Sequence, residues 1–197
     1  MSRPPSISMP SAAPLPADRQ QIPLPGLPHL LLRPMQEADL PSWAEFALLP
    51  EVQQHTSSNL TSLEELRSQF QQQQSSQPPS ARMFAVVAAD TPQQVLAAAG
   101  FHSISARFKT AELSYDVRPD CWRRGIASAA TRALLEWGFS TQGWLRIQAT
   151  AVDSNLASQA VLLRCGFVLE GRLRNFRLIR GEPREYLVFS RIPTDPA

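Results

Sequence analysis

The chain has 197 residues, 43% of them apolar, and a formal net charge of +2, enough for one domain with a real hydrophobic core. So small a charge gives no electrostatic footprint for nucleic acid, and no apolar run approaches the length of a membrane span. Two cysteines, Cys121 and Cys165, do not make a disulfide framework and have no metal-ligand spacing with His29, His55 or His102, so the expectation is a cytoplasmic protein in a reducing compartment, without metal.

Residues 1–28 hold eight prolines among scattered Ser, Ala and Gln, and the opening Met-Ser-Arg-Pro-Pro has no apolar signal-peptide core. Residues 1–26 are therefore read as a disordered or extended tail, with Pro-rich docking as the alternative. Residues 27–193 form a single domain, and 194–197 a short second tail. Leu30, Leu31, Leu32 and Arg33 read as a first strand ended by Pro34. Residues 37–49 read as a helix, with Leu40, Trp43, Ala44 and Ala47 at helical spacing. Pro50 interrupts, and a short element over 51–55 follows. Residues 62–74 read as a second helix opened by a capping box, Ser62 with Glu65. Its end dissolves into a glutamine-rich loop.

Strands then dominate. Residues 83–89 and 95–104 read as a hairpin around Asp90, Thr91, Pro92 and Gln93, and 111–117 as the next strand. Ile126, Ala130, Leu134 and Trp137 mark a helix over 125–139. Residues 144–152 are a strand, and 154–164 a helix with Asp153 as its N-cap. Residues 167–175 and 186–192 are the last two strands, joined near Arg180, Gly181 and Pro183. This order predicts a mixed α/β sheet with helices on both faces.

The stretch from Tyr115 to Ala127 carries the most chemistry. A β-branched and aromatic run ends at Pro119. A tight basic turn with Trp122, Arg123, Arg124 and Gly125 follows, and a helix starts at Ile126. The first N–H groups of a helix lack partners and sit at the positive end of its dipole, so such a turn holds anions. Gly125 lets a ligand approach the backbone, and Ala127 keeps the first helical turn narrow. About thirty residues on come Asn155, Ser158, Gly166 and Phe167.

Strand, turn and Gly125-x-Ala127, followed by Asn155-x-x-Ser158 and Gly166-Phe167, resemble the GNAT superfamily of acyl-CoA-dependent N-acetyltransferases. Tyr115, Trp122, Ser158 and the run Leu169, Glu170, Gly171 are most similar to the branch of ribosomal-protein N-terminal acetyltransferases. The resemblance implies the GNAT fold, a twisted mixed sheet whose fourth and fifth strands splay to admit pantetheine. It implies acetyl-CoA as co-substrate, its diphosphate held by the backbone of Arg123, Arg124, Gly125, Ile126, Ala127 and Ser128. Trp122 stands where much of the superfamily has Gln or Arg. Pantetheine would run along the strand edge near Asp116 and Val117, with the Val117 N–H as oxyanion donor.

Asn155 matches a residue that anchors the donor or acceptor side, and a helix-start hydrogen bond is its alternative role. Ser158 matches a serine that protonates the leaving thiolate, and exposed helix surface is the alternative. Many GNAT enzymes carry a tyrosine acid one turn further on. Leu162 occupies that position here and cannot donate a proton. The general base stays open: Glu112 ranks first, and Asp116 points to the same face four residues on. Glu51, His55 and His102 are the others.

The implied reaction is direct transfer to a primary amine in a ternary complex, by a monomer or homodimer. A protein α-amine, with a pKa of about 7.7–8.0, is roughly a quarter neutral near pH 7.4, whereas a lysine at about 10.4 is almost wholly charged. A site without an obvious strong base therefore fits a protein N-terminus. A small-molecule amine and a non-catalytic CoA-binding role are the alternatives. Lys109 is the only lysine beside eighteen arginines, and Arg172, Arg174, Arg177, Arg180 and Arg184 cluster. They read as a solvated sheet face, or as a surface for an acidic partner or the 3′-phosphate of CoA.

Overall fold

The computed structural model describes residues 21–75 and 79–196. In chain order these form β1 (Ile22–Leu24), β2 (Leu27–Pro34), a 3-10 turn (Glu37–Asp39), α1 (Leu40–Ala47), α2 (Pro50–Gln53) and α3 (Leu63–Ser75). There follow β3 (Arg82–Ala88), β4 (Thr91–Ser105), β5 (Thr110–Val117), a second 3-10 turn (Pro119–Cys121) and α4 (Ile126–Ser140). The chain closes with β6 (Arg146–Val152), α5 (Leu156–Arg164), β7 (Val168–Ile179) and β8 (Glu182–Arg191).

The strands make one mixed sheet in the order β1-β2-β3-β4-β5-β6-β8-β7. Every neighbouring pair is antiparallel except β5 with β6. That parallel pair is short: Thr110, Ala111 and Glu112 lie opposite Arg146, Ile147 and Gln148, and then the strands part. Each is held beyond that point on its outer side alone, β5 by β4 as far as Val117 and β6 by β8 as far as Val152. Two strands anchored on opposite sides leave a wedge-shaped gap in mid-sheet. It lies between the fifth and sixth strands rather than the fourth and fifth, because β1 adds an edge strand inside the segment expected to be tail. Ile22 pairs with Leu32, and Leu24 is buried in the core. The remainder of that expected tail, residues 1–20, lies outside the described residues.

Period-two alternation on β5 sends its residues to two different environments. Ala111, Leu113, Tyr115 and Val117 join a core beneath α4 and α5 that includes Phe84, Phe101, Trp137 and Trp144. The rings of Phe101 and Trp144 meet edge to face at 4.6 Å. On the other face Trp43, Phe46, Leu66 and Phe70 of α1 and α3 pack on Ala85, Val87, Val95 and Ala98. Glu112, Ser114 and Asp116 point to that second side, beside the helices.

Local corrections have local causes. The expected helix over 37–49 is divided: buried Asp39 ends the 3-10 turn and takes both guanidinium nitrogens of Arg33, each at 2.7 Å. Pro50 restarts the chain as α2. In the expected capping box Ser62 accepts from the Glu65 N–H at 3.2 Å, but the Glu65 carboxylate turns to the Thr61 N–H at 2.7 Å. Close packing between β3 and β4 makes Gly100 obligatory. A Cβ there would strike the Arg82 carbonyl and lie 2.8 Å from Met83 Cα, both backbone. Gly100→Ala is expected to cost about 1–3 kcal/mol or more, read as a lower melting temperature.

Candidate active site

The gap between β5 and β6 opens into a cleft of about 1360 Å³. It passes through the sheet. Trp122, Ala127 and Ser158 line it on the side of α4 and α5, and Trp43, His55 and Phe70 on the side of the first three helices.

Pro119 ends β5, and the turn after it is bent by two left-handed residues, Arg123 (φ 61°) and Gly125 (φ 79°). A left-handed residue followed by a right-handed one, as Gly125 is by Ile126 at the start of α4, turns successive N–H groups inward as an anion nest. The first bond inside α4 runs from the Ala129 N–H to the Gly125 carbonyl at 2.9 Å. The N–H groups of Ile126, Ala127 and Ser128 are therefore the unpartnered donors of the helix start. The Ile126 side chain is buried in the core, so this residue offers the cleft only its backbone. Arg123 lines the cleft, whereas the Arg124 guanidinium is turned to Cys121 Sγ at 3.8 Å.

The Trp122 indole N–H donates to the Val117 carbonyl at 2.7 Å and ties the turn to the end of β5. Trp122→Phe removes that bond, worth about 0.5–1.5 kcal/mol. The melting temperature is expected to fall by about 1–6 °C.

Hydrogen-bond register decides what the backbone of β5 offers. The Arg118 N–H donates to the Leu96 carbonyl, and Val117 lies opposite Ala97. In an antiparallel pair, residues that bond across the ladder alternate with residues that do not. The N–H and C=O groups of Tyr115 and Val117 therefore point away from β4 and into the gap. The Trp122 indole takes the Val117 carbonyl, and the Val117 N–H faces the opening.

Asn155, not Asp153, caps α5. Its Oδ1 accepts the Ser158 N–H at 3.0 Å, whereas the Asp153 N–H is still bound into the sheet through the Glu185 carbonyl at 3.0 Å. The cap occupies the Asn155 oxygen, and its NH₂ has no partner among the described residues. Ser158 is half-buried, its Oγ 2.9 Å from the Tyr115 hydroxyl. In the sequence Tyr115 carries part of the family resemblance and no role in the site. The signal available was its place two residues before Val117 on the strand edge that lines the gap. Burial pushes the Tyr115 phenol well above its ordinary value, partly offset by the Ser158 hydrogen bond, so it stays protonated. Leu162, in the expected tyrosine position, is buried in the core beneath the sheet.

Glu112 is buried among partners. Thr150 Oγ1 donates to it at 2.9 Å and Gln148 Nε2 at 3.4 Å. Arg177 lies 3.5 Å away and His102 3.9 Å. Burial lowers the His102 pKa, the Glu112 charge raises it, and Arg177 lowers it again. Asp116, on the same face, lines the cleft and has no side-chain hydrogen bond or ion pair among the described residues. Burial pushes its carboxyl up to about 6. His55 and Glu51 also line the cleft, and burial and the Arg184 charge lower the His55 pKa.

The arginine cluster divides between partners within the chain. Arg172 pairs with Glu185 at 2.6 Å, Arg184 with Asp153 at 3.7 Å, and Arg180 donates to the Gln53 carbonyl at 3.0 Å. Among the described residues no group of three His, Cys, Asp or Glu is placed to hold a metal ion, and no helix is long and apolar enough to cross a membrane.

Known proteins share this architecture. Residues 29–168 match the acetyltransferase (GNAT) domain family. The chain is 35% identical over 98 residues to an uncharacterized N-acetyltransferase, YoaA, of Bacillus subtilis, covering 50% of this chain and 55% of that protein. It is 30% identical over 110 residues to the uncharacterized N-acetyltransferase p20 of Bacillus licheniformis, covering 56% and 61%. The match thus spans little more than half the length of these relatives. Among solved structures, the ribosomal-protein-S5-alanine acetyltransferase of Vibrio fischeri superposes with a TM-score of 0.75 at 21% identity, over 85% of this chain and 94% of that one. The spermidine N-acetyltransferase of Vibrio cholerae, in complex with CoA and spermine, superposes with a TM-score of 0.76 at 18% identity, over 85% and 97%. At such identities the likeness speaks for the fold. With the split sheet, the turn before α4 and a family match over most of its length, the chain belongs to the GNAT acetyltransferase family.

Proposed function

We propose that this protein transfers an acetyl group from acetyl-CoA directly to a primary amine, and that the amine is a protein N-terminal α-amine. The observation that carries the reading is the last turn of β5, where the Val117 N–H faces the gap a few residues before the anion nest of α4. The nest, with Arg123, holds the diphosphate. The edge of β5 pairs with pantetheine and brings the thioester carbonyl to the Val117 N–H, which stabilises the oxyanion of the tetrahedral intermediate. Ser158, hydrogen-bonded to Tyr115, lies on the α5 side and gives its proton to the departing thiolate. The acceptor enters from the side of α1, α2 and α3.

The choice of α-amine rests on charge. On the acceptor side Glu112 is already occupied by Arg177, Thr150, Gln148 and His102, which leaves Asp116 and Glu51 as the unpaired carboxylates of the cleft among the described residues, fewer than the several ammonium groups of a polyamine ask for. An α-amine, partly neutral near pH 7.4, asks less of the site.

The test is CoA release from acetyl-CoA across N-terminal peptides, spermidine and other small amines. Release with peptides supports the reading. Release with spermidine alone moves the acceptor to small molecules, and binding of acetyl-CoA without release by any amine overturns it. Ser158→Ala is expected to lower kcat about 10- to 100-fold, in the lower range for loss of a general acid, while acetyl-CoA affinity holds. Unchanged kcat would return Ser158 to a helix-surface role.

A further inference from the structure

We infer that Asp116 is the general base that takes the proton from the attacking amine, while Glu112 positions the residues around it. The inference rests on the acetyl-transfer reading above and adds the residue that reading lacks. Three consecutive residues of β5 supply its geometry. Strand alternation sends the Tyr115 side chain toward α5 and Ser158, and the Asp116 side chain to the opposite face. Val117 follows, with its N–H in the plane of the sheet and aimed into the gap. An acyl carbon held by that N–H then has the acid side of the site on one face and the Asp116 carboxylate on the other, where the acceptor enters.

The two carboxylates on this face differ in what surrounds them. Glu112 accepts from Thr150 and Gln148 and lies beside Arg177 and His102. Its lone pairs and charge are engaged four residues before the end of the strand. Asp116 pairs through its backbone with Ala98 of β4 and has no side-chain partner among the described residues, although it is half-buried and lines the cleft. The helices packed over this face bring apolar Trp43, Leu66 and Phe70. The titratable and charged groups facing the same space are Glu51 and His55 near α2, Glu65 of α3, His102 of β4, Glu112 of β5, Arg177 of β7 and Tyr186 of β8, while Glu45 of α1 is paired with Arg118 at 3.2 Å. A carboxylate left without a partner in such a place is an unfavourable arrangement for folding alone.

The proton balance closes on these residues. The neutral amine attacks the thioester carbon, a C–N bond forms, and negative charge moves to the oxygen held by the Val117 N–H. The tetrahedral ammonium gives one proton to the Asp116 carboxylate. The intermediate collapses, the C–S bond breaks with its electron pair on sulfur, and Ser158 supplies the thiolate's proton. Solvent later takes the proton from Asp116 and restores the one lost by the Ser158–Tyr115 pair. Amine and acetyl-CoA have become amide and CoA thiol. A carboxylate that burial holds at about 6 is a better base than an ordinary aspartate, and it is ionised at neutral pH.

The experiment compares wild type, Asp116→Asn and Glu112→Gln, with kcat/KM against pH on an accepted peptide and thermal melts over the same pH range. Asp116→Asn is expected to lower kcat/KM about 100-fold or more and abolish the acid limb of the profile. Acetyl-CoA affinity should hold. Glu112→Gln should keep that limb, whatever it does to the height of the profile. An acid limb retained in Asp116→Asn, or lost in Glu112→Gln, overturns the assignment.

The melts need no acceptor. A carboxyl whose folded pKa lies above its unfolded one stabilises the fold below the unfolded value and loses that contribution as pH rises through the folded value. Wild type therefore carries at neutral pH a penalty that asparagine does not. Asp116→Asn should melt above wild type at pH 7–8, and the difference should shrink toward pH 4. A variant that melts below wild type at pH 8 would show Asp116 to be a structural partner and would sink the inference. Failure of wild type to release CoA with any amine instead strikes the functional reading itself.

Discussion

Gly125→Glu is expected to abolish acetyl-CoA binding in a protein that still folds. Gly125 sits at φ 79°, and a Cβ built on it meets nothing within 4 Å. A side chain there has room, and its steric cost is that of the left-handed backbone, about 1–2 kcal/mol. The larger effect is electrostatic. The carboxylate would stand at the mouth of the nest formed by the N–H groups of Ile126, Ala127 and Ser128, where a diphosphate must sit. Two like charges about 4 Å apart repel by about 4 kcal/mol at an effective dielectric of 20, roughly a thousandfold in affinity. Gly125→Ala isolates the conformational part: it should melt somewhat lower and lose far less affinity. Calorimetric titration with acetyl-CoA separates the two variants. A folded Gly125→Glu protein with wild-type affinity would remove the turn before α4 from the donor site.

What the sequence disclosed about this site follows from which interactions are local. The turn from Pro119 to Gly125 and the start of α4 depend on residues adjacent in the chain, and they stand in the sequence as a strand end, a glycine and an apolar helical pattern. The same holds for the close of α5. The Phe167 N–H donates to the Leu162 carbonyl at 3.1 Å and the Gly166 N–H to the Leu163 carbonyl at 3.0 Å, with Gly166 left-handed at φ 77°, a termination written in Gly166 and Phe167 alone. The pairing of Tyr115 with Ser158 spans forty-three residues and depends on how β5 and α5 meet, which no local pattern encodes. β1 was hidden for a different reason. Three residues with Pro23 in the middle and Pro25 directly after them carry no alternation to read, and Leu24 is buried by packing on β2 and on the core beneath α4. Asp153 and Asn155 are both good capping types, and the choice between them is made by β8, whose Glu185 carbonyl holds Asp153 in the sheet.

Removing the Glu112 carboxylate should destabilise the fold strongly. In Glu112→Ala the Thr150 hydroxyl and the Gln148 amide lose their acceptor, and Arg177, 35% exposed, loses the buried carboxylate beside it. Breaking a fully buried ion pair costs about 3–5 kcal/mol. With Arg177 partly in water we expect about 3 kcal/mol, a fall of roughly 6–12 °C in melting temperature for a domain of this size. Glu112→Gln, which keeps an acceptor oxygen, should lose less. The network also carries a pH signature. His102 is held below its ordinary value, so it subtracts stability as pH falls through its unfolded value of about 6.5. Of the charges acting on it, Glu112 raises the pKa and Arg177 lowers it. An NMR titration of His102 should therefore move down in Glu112→Gln and up in Arg177→Gln. A double-mutant cycle combining the two substitutions measures the coupling between these charges directly. Additive melting temperatures and an unmoved His102 titration would mean that Glu112 and Arg177 act independently, and the buried network would then have no part in ordering the acceptor side of the cleft.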